Sequence, residues 1–414
     1  MHYSQDLTDC RPPGFQDALA DAARARLRVR RWYDEETLPL LRLPERRDDL
    51  VRLDTEAARL RDSFSRVLVF GTGGSALGAK ALLALPQVAA APRVLVPDNL
   101  DGDDLAALLA EPLAETALIV VSKSGGTAET LLQALSAVAA FRAQGIDDLS
   151  ARMLFISDPG DSPLRRLAAR LQAPVLDHDP KIGGRYSVLS LVGVLPALIA
   201  GLDVDALRAG AASVLHAVLE RDDAPPCLGA AASVSALRAG QGQAVLLAYG
   251  PRLELLVKWW RQLWGESLGK DGLGQTPVDA QGPVDQHSQL QLWRAGPDDK
   301  LYTLITLDPQ GRGPALDDGL AREIGAESLA GRRAGDLVAA MQQATAETLA
   351  AVGRPVRRLR LERLDEATYG ALFMHFFLET MLAAEMLGVD AFNQPAVDDG
   401  KQRAMRYLAD MAPA

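Results

Sequence analysis

Short apolar runs that alternate with helical stretches constrain this chain more than any other feature. Val67–Phe70 is apolar, ends at Gly71, and leads into a helical pattern over Ser75–Leu85. Val94–Val96 is a second run, closed by Pro97-Asp98-Asn99, and Asp104–Ala110 reads as a short helix. Leu118–Val121 then reads as a strand, Thr127–Ala143 as a helix, Met153–Ile156 as a strand, Pro163–Leu171 as a helix and Pro174–Leu176 as a strand. Strands apolar on both faces, separated by helices, predict a parallel, doubly wound sheet covered on both sides. A weaker copy follows, with a strand at Ala244–Ala248, a helix from Leu253 to Trp264 and a strand at Leu301–Leu307. The two halves therefore read as a diverged pair of like folds. Ala367–Leu387 predicts a long amphipathic helix ended by Gly388, and a last helix carries Lys401.

Residues 1–65 are charged and broken by Pro12-Pro13, Pro39 and Pro44, which predicts a helical arm. The Asp222–Pro226 segment is a natural break. The expected division is an arm at 1–65, a first domain at 66–221, a second at 222–390, and a C-terminal segment at 391–414.

At 414 residues there is chain enough for more than one core. The net charge of −10 argues against general nucleic-acid binding, so an anionic ligand must be held by local donors. Cys10 and Cys227 form neither a metal motif nor a disulfide framework, which predicts a reducing, cytoplasmic setting. The N-terminus lacks a basic stretch followed by an apolar run, and apolar runs such as Val192–Ala200 are too short to span a bilayer. No membrane association is expected.

Two loops point to a phosphate. Gly71-Thr-Gly-Gly-Ser-Ala-Leu-Gly78 follows a strand, and its glycines let backbone N–H groups approach an anion. Ser122-Lys-Ser-Gly-Gly-Thr-Ala-Glu-Thr130 also lies between strand and helix, and it offers the hydroxyls of Ser122, Ser124, Thr127 and Thr130 beside Lys123. Many short donors around one tetrahedral anion suit a phosphate monoester. The plainer explanation for Thr127 and Thr130 is helix capping. Glu266 and Lys270 stand at i and i+4 just past the Trp-rich helix, where a surface ion pair is the ordinary outcome. Trp259, Trp260, Leu263 and Trp264 instead suggest a buried setting for Glu266. Arg185 follows Gly183-Gly184, so its backbone can come close to a ligand. His287 sits in a polar loop and is the best-placed of five histidines for proton transfer. No His/Cys cluster implies a metal. A phosphate cradle, a carboxylate, an arginine and a histidine together suit proton abstraction next to a carbonyl on a phosphorylated sugar.

These segments, with Gln262-Leu-Trp-Gly-Glu-Ser-Leu-Gly-Lys270 and Asn393-Gln-Pro-Ala-Val-Asp-Asp-Gly-Lys401, resemble the glucose-6-phosphate isomerase (phosphoglucose isomerase) family, in chain order from Gly71 to Lys401. The resemblance implies two sugar-isomerase (SIS) domains, each a parallel sheet flanked by helices. It also implies reversible isomerisation of glucose 6-phosphate and fructose 6-phosphate without a cofactor. Carried over residue by residue, Gly74, Ser75, Ser122, Lys123, Ser124, Thr127 and Thr130 match the phosphate site. Glu266 matches the base that moves a proton between C2 and C1. Arg185, preceded by Gly184, matches the arginine that faces the enediolate. His287 and Lys401 match the ring-opening pair, and Gln394 matches a substrate-contacting glutamine. The family is usually a homodimer whose histidine enters from the partner subunit. Gly125-Gly126 departs from the bulkier residues of many members, which predicts a looser phosphate loop.

Two rival readings stand beside this one. Gly71, Gly73 and Ala76, with Asp98 at the end of the next strand, satisfy a dinucleotide fingerprint and suggest an NAD-dependent oxidoreductase. A non-catalytic phosphosugar-binding regulator would need the loops but not Glu266, His287 and Lys401 together.

Overall fold

The structure is a computed structural model that describes residues 2–412. Its strands in chain order are β1 (Tyr3–Asp9), β2 (Arg66–Phe70), β3 (Arg93–Leu95), β4 (Thr116–Val121), β5 (Met153–Ser157), β6 (Val175–Asp177), β7 (Gln243–Tyr249), β8 (Thr276–Gly282), β9 (Lys300–Leu307) and β10 (Val356–Leu361). They form two sheets, ordered β3-β2-β4-β5-β6 and β8-β7-β9-β10-β1. Every pairing is parallel except that of β1 with β10. Numbered from its own first strand, each sheet runs 2-1-3-4. The fifth place is filled by β6 in the first sheet and by β1 in the second. The halves are thus one topology used twice.

Alternation along the strands explains the layers. Val67, Val69, Ile119, Val121, Leu154 and Ile156 face a large shared core, which also takes Leu246, Ala248, Leu301, Ile305 and Leu359 from the second sheet. The opposite faces form separate cores, around Leu68, Phe70, Val120 and Phe155 in one half and Leu247, Tyr302 and Leu304 in the other. Side chains of successive strand residues point to opposite faces, so each strand feeds two cores.

The shared layer is built on the helix Glu366–Leu387. It is not amphipathic as expected. Every residue from Ala367 to Ala384 is buried. By length and composition it could cross a membrane, yet here it is surrounded by protein. It packs on the helix Val204–Glu220 at close range. A Cβ on Gly210 would stand 1.8 Å from the Ala367 carbonyl oxygen, and one on Gly370 would stand 1.8 Å from that of Leu207. Larger residues at either position would force the helices apart.

The first residues correct the expectation of a wholly helical arm. Tyr3–Asp9 is a strand, and helices begin only at Phe15–Asp34. Its polar residues carry little strand propensity, so pairing decides. Asp9 accepts from Arg358 of β10 at 2.7 Å, and Tyr3 reaches into a buried polar cluster. There Tyr3 Oη is 2.5 Å from His375 Nδ1, His375 Nε2 is 2.8 Å from Glu379, and Arg357 donates to Glu379 at 2.9 Å. Burial lowers the His375 pKa, which keeps the ring neutral, with Nε2–H donating to the carboxylate and Nδ1 accepting from Tyr3. Burial alone would raise Glu379, but Arg357 and the His375 hydrogen bond outweigh it and hold the carboxyl down to about 2.

This cluster should show itself in unfolding experiments. Glu379→Ala leaves Arg357 charged and unpaired, and should cost about 3–5 kcal/mol in urea unfolding. Acidification should also weaken the fold. The unfolded chain protonates His375 near its ordinary pKa of about 6.5, whereas the folded chain does not, so stability is lost as pH falls through that range. Below the ordinary carboxylate range Glu379 adds a further loss, complete only near its folded value. The urea midpoint of His375→Asn should accordingly fall less between pH 7 and 5 than that of the unsubstituted chain.

Candidate active site

An open sheet of order 2-1-3-4-5 leaves a crevice at the carboxyl ends of its first and third strands, where the chain departs in opposite directions. In the first sheet these are β2 and β4, and the two phosphate-type loops leave from them. Gly71–Ser75 follows β2 and Ser122–Thr127 follows β4. The turn Gly184–Tyr186 closes over the first loop. A Cβ on Gly74 would lie 2.3 Å from the Gly184 carbonyl carbon. Ser187 Oγ, which donates to the Gly184 oxygen at 2.7 Å, lies 3.2 Å from the Gly74 oxygen. The missing side chain of Gly74 thus lets two backbones touch.

Ser122 Oγ and Thr127 Oγ1 are 2.9 Å apart, and Ser124 Oγ accepts from the Gly126 amide. Thr127 occupies the N-cap of the helix Ala128–Ala143 yet makes no side-chain cap hydrogen bond. Capping therefore does not explain it, and the positive end of this helix is left for an anion. Thr130 differs from expectation. It is fully buried, and its hydroxyl has no hydrogen-bond partner. Lys123 turns its ammonium to the Pro180 carbonyl at 2.6 Å, so among the hydroxyls it offers backbone only. Gly125-Gly126 does not loosen the loop. Gly125 has φ +64°, a Cβ there would stand 2.2 Å from Ser162 Oγ, and its carbonyl accepts from the Leu164 amide.

The helix Glu254–Leu268 continues past its expected end and carries Glu266 in its last turn. Glu266 Oε1 accepts from Gln262 Nε2 at 2.9 Å and Oε2 faces Arg185 Nη1 at 3.3 Å. Lys270 does not pair with the Glu266 carboxylate. Its ammonium donates to the carbonyls of Glu266 and Ser267, as a cation at a helix C-terminus does. Arg185 is 3% exposed. Its Nη1 also donates to Gln394 Oε1 at 2.8 Å, its Nη2 to the carbonyls of Ala391 and Asn393, and its Nε to Ser267 Oγ. Gln262, Ser267 and the Ala391–Asn393 carbonyls had no role in the sequence reading. Gln262 stands one helical turn before Glu266, and that spacing was the available signal.

His287 and Lys401 are not brought to this cluster within one chain. The Glu254–Leu268 helix runs back along β8, with Arg261 paired to Asp279 and Gly265 against Pro277. Glu266 therefore lies by the entry of β8, while exposed His287 follows its exit. Pro277 to Gly282 alone spans about 17 Å. Lys401 is exposed on the helix Val397–Asp410, of which no residue is buried, with Asp398 at 3.9 Å.

The dinucleotide reading fails on the geometry. Asp98, which would take a ribose hydroxyl, is paired with Lys80 at 2.5 Å. Gly73–Ser75 is a 3₁₀ turn covered by Gly184, and the following helix spans only Leu77–Leu82.

Such a crevice, with a hydroxyl-lined loop and a carboxylate beside a buried arginine, has the donors and the carboxylate that a phosphorylated sugar would need. Residues 57–284 match the family described as phosphoglucose isomerase. A glucose-6-phosphate isomerase of Rubrobacter xylanophilus is 37% identical over 378 residues, 87% of each chain. One from Thermus thermophilus is 34% identical over 415 residues, 96% of this chain and 98% of that one. A solved structure of a hypothetical protein, also from Thermus thermophilus, superposes with TM-score 0.88 at 32% identity, covering 98% of this chain and all of the other. A glucose-6-phosphate isomerase from Chlamydia trachomatis shares the fold at TM-score 0.76 and 23% identity, covering 88% of this chain and 73% of the other. The chain belongs to the phosphoglucose isomerase family.

Gly125→Ala should strain the phosphate loop by about 1–3 kcal/mol. Calorimetry should show weaker binding of a hexitol 6-phosphate, with the Arg185–Glu266 cluster unchanged and the melting temperature lowered by about 1–4 °C.

Proposed function

We propose that the chain interconverts glucose 6-phosphate and fructose 6-phosphate, with Glu266 as the base. The observation that carries this reading is the Glu266 carboxylate held between Gln262 and Arg185 beside the phosphate loops. The phosphate sits among Ser75, Ser122, Ser124 and Thr127. This places the far end of the open-chain sugar by Glu266. The carboxylate removes the C2 proton, and the electron pair moves through a cis-enediolate. The enediolate's hydroxyl proton passes from O2 to O1, and the protonated carboxyl returns its proton to C1, leaving the carbonyl at C2. One base serves both carbons because they present the same face. Arg185 and Gln394 face the oxygens on which charge develops, and such donors act most strongly where they are already oriented and dry.

His287 and Lys401 open the sugar ring, His287 from a second copy of the chain in a homodimer. The separation of His287 from Glu266 within one chain supports this. So does the helix Val397–Asp410, whose Met405, Tyr407 and Leu408 are half or more exposed. The expected domain division, with residues 66–221 holding the phosphate site and 222–390 supplying the base, fits this chemistry. The setting is cytoplasmic sugar metabolism.

Glu266→Gln should lower kcat by about 10²–10⁴-fold, in an assay coupling glucose 6-phosphate to NADPH formation, while hexitol 6-phosphate still binds. Turnover at the unsubstituted rate would remove Glu266 as the base. Mixing inactive Glu266→Gln with inactive His287→Ala should restore up to about a quarter of full activity, since a mixed dimer carries one complete site of two. If His287 acts on its own chain's site, mixing restores nothing.

A further inference from the structure

Arg185 is held by more than its neighbours in the site. Its Nε donates to Ser267 Oγ at 2.8 Å, Ser267 Oγ lies 3.0 Å from Tyr186 Oη, and Tyr186 Oη donates to the Ala391 carbonyl at 3.3 Å. That same carbonyl accepts from Arg185 Nη2 at 2.6 Å. The bonds close a ring. A guanidinium only donates, so Ser267 Oγ accepts from it. Either hydroxyl can donate across the Ser267–Tyr186 contact, and with either placement of the protons the ring holds Arg185 by the same edge. All four members are buried, with Ser267 and Tyr186 wholly so. Burial pushes the Tyr186 phenol up, which keeps it a donor.

The ring uses the Nε and Nη2 side of the guanidinium. Only Nη1 remains toward Glu266 Oε2 and Gln394 Oε1. We infer that Ser267 and Tyr186 are positioning residues, which lock Arg185 by its far edge so that Nη1 faces the developing enediolate. This rests on the role given to Arg185 above and goes beyond it, since neither residue touches the substrate. It also ties the Ala391–Asn393 loop to the helix that carries the base, because the ring has a member in each. An arginine freed along that edge still neutralises charge but no longer meets the planar anion in one orientation.

Ser267→Ala and Tyr186→Phe each delete one hydroxyl, and Tyr186→Phe retains the ring packing on Phe377 and Phe392. Two ligands separate positioning from general support. One is 5-phosphoarabinonate, whose planar carboxylate stands for the enediolate oxygens. The other is a hexitol 6-phosphate, which carries the phosphate without the planar anion. Each variant should bind the planar acid about tenfold more weakly and the hexitol phosphate within about twofold of the unsubstituted chain, with kcat lowered and KM little changed. The double variant should be no worse than the more affected single one, because the two hydroxyls act as a unit. Equal weakening of both ligands, or additive losses, would overturn the inference and leave a structural role only. If the unsubstituted chain turns over substrate and prefers the planar acid, but both variants keep that preference, the inference fails while the reading of Arg185 stands. If the unsubstituted chain shows neither turnover nor preference, both fall.

Discussion

A buried guanidinium must satisfy five donors, and in this protein that requirement assembles the site. The Arg185 guanidinium can only donate and lies almost wholly out of water. Its partners come from two places far apart in sequence, the end of the Glu254–Leu268 helix and the Ala391–Gln394 loop, and both converge on the Gly184–Tyr186 turn that bears it. Each partner satisfies a donor that would otherwise be costly to bury. The charge that organises the loops is the one proposed to face the enediolate, so on that reading stability and function draw on the same contacts. Glu266 benefits directly, since its carboxylate is oriented by Arg185 on one oxygen and Gln262 on the other.

The scaffold beneath this cluster is a topology used twice with different outcomes. Only the first sheet carries hydroxyl and glycine loops at its switch point. The second supplies the helix bearing Glu266, and its fifth strand comes from the N-terminus. The shared core joins the two sheets, so the Gly71–Ser75 and Ser122–Thr127 loops and Glu266 are held by one packed layer. The Glu366–Leu387 helix at its centre is buried on every side over most of its length. The Tyr3–His375–Glu379–Arg357 cluster fastens the N-terminal strand to that helix and to β10.

Much of the fold was legible because the first domain's strands are dense in β-branched and apolar residues between turn signals. β8 and β10 were not. Thr276–Gly282 has Pro277 near its start, Pro283 just past its end and a partly polar interior, and Val356–Leu361 carries three arginines. Their pairing with β7 and β9 overrides local preference. The central helix was read as amphipathic because burial on every face needs a second layer that one segment cannot reveal. Of the site, the motifs that pair hydroxyls, glycines and a carboxylate were readable. That the Thr130 hydroxyl is buried without a partner, and that the Lys123 ammonium meets the Pro180 carbonyl, no local spacing could show.

The sequence by itself determined the chemistry available: which loops can cradle an anion, which carboxylate and arginine stand near glycine turns, and that the sheets are parallel. Those properties are local, set by residue type, period and turn. Tertiary structure alone decided that Arg185 meets Glu266 and Gln394, that Asp98 is taken by Lys80, and that His287 stands at the far end of β8 from Glu266 of its own chain. The reason is that such contacts join segments separated by up to 209 positions, and only the packing of both sheets on one core brings them together or holds them apart.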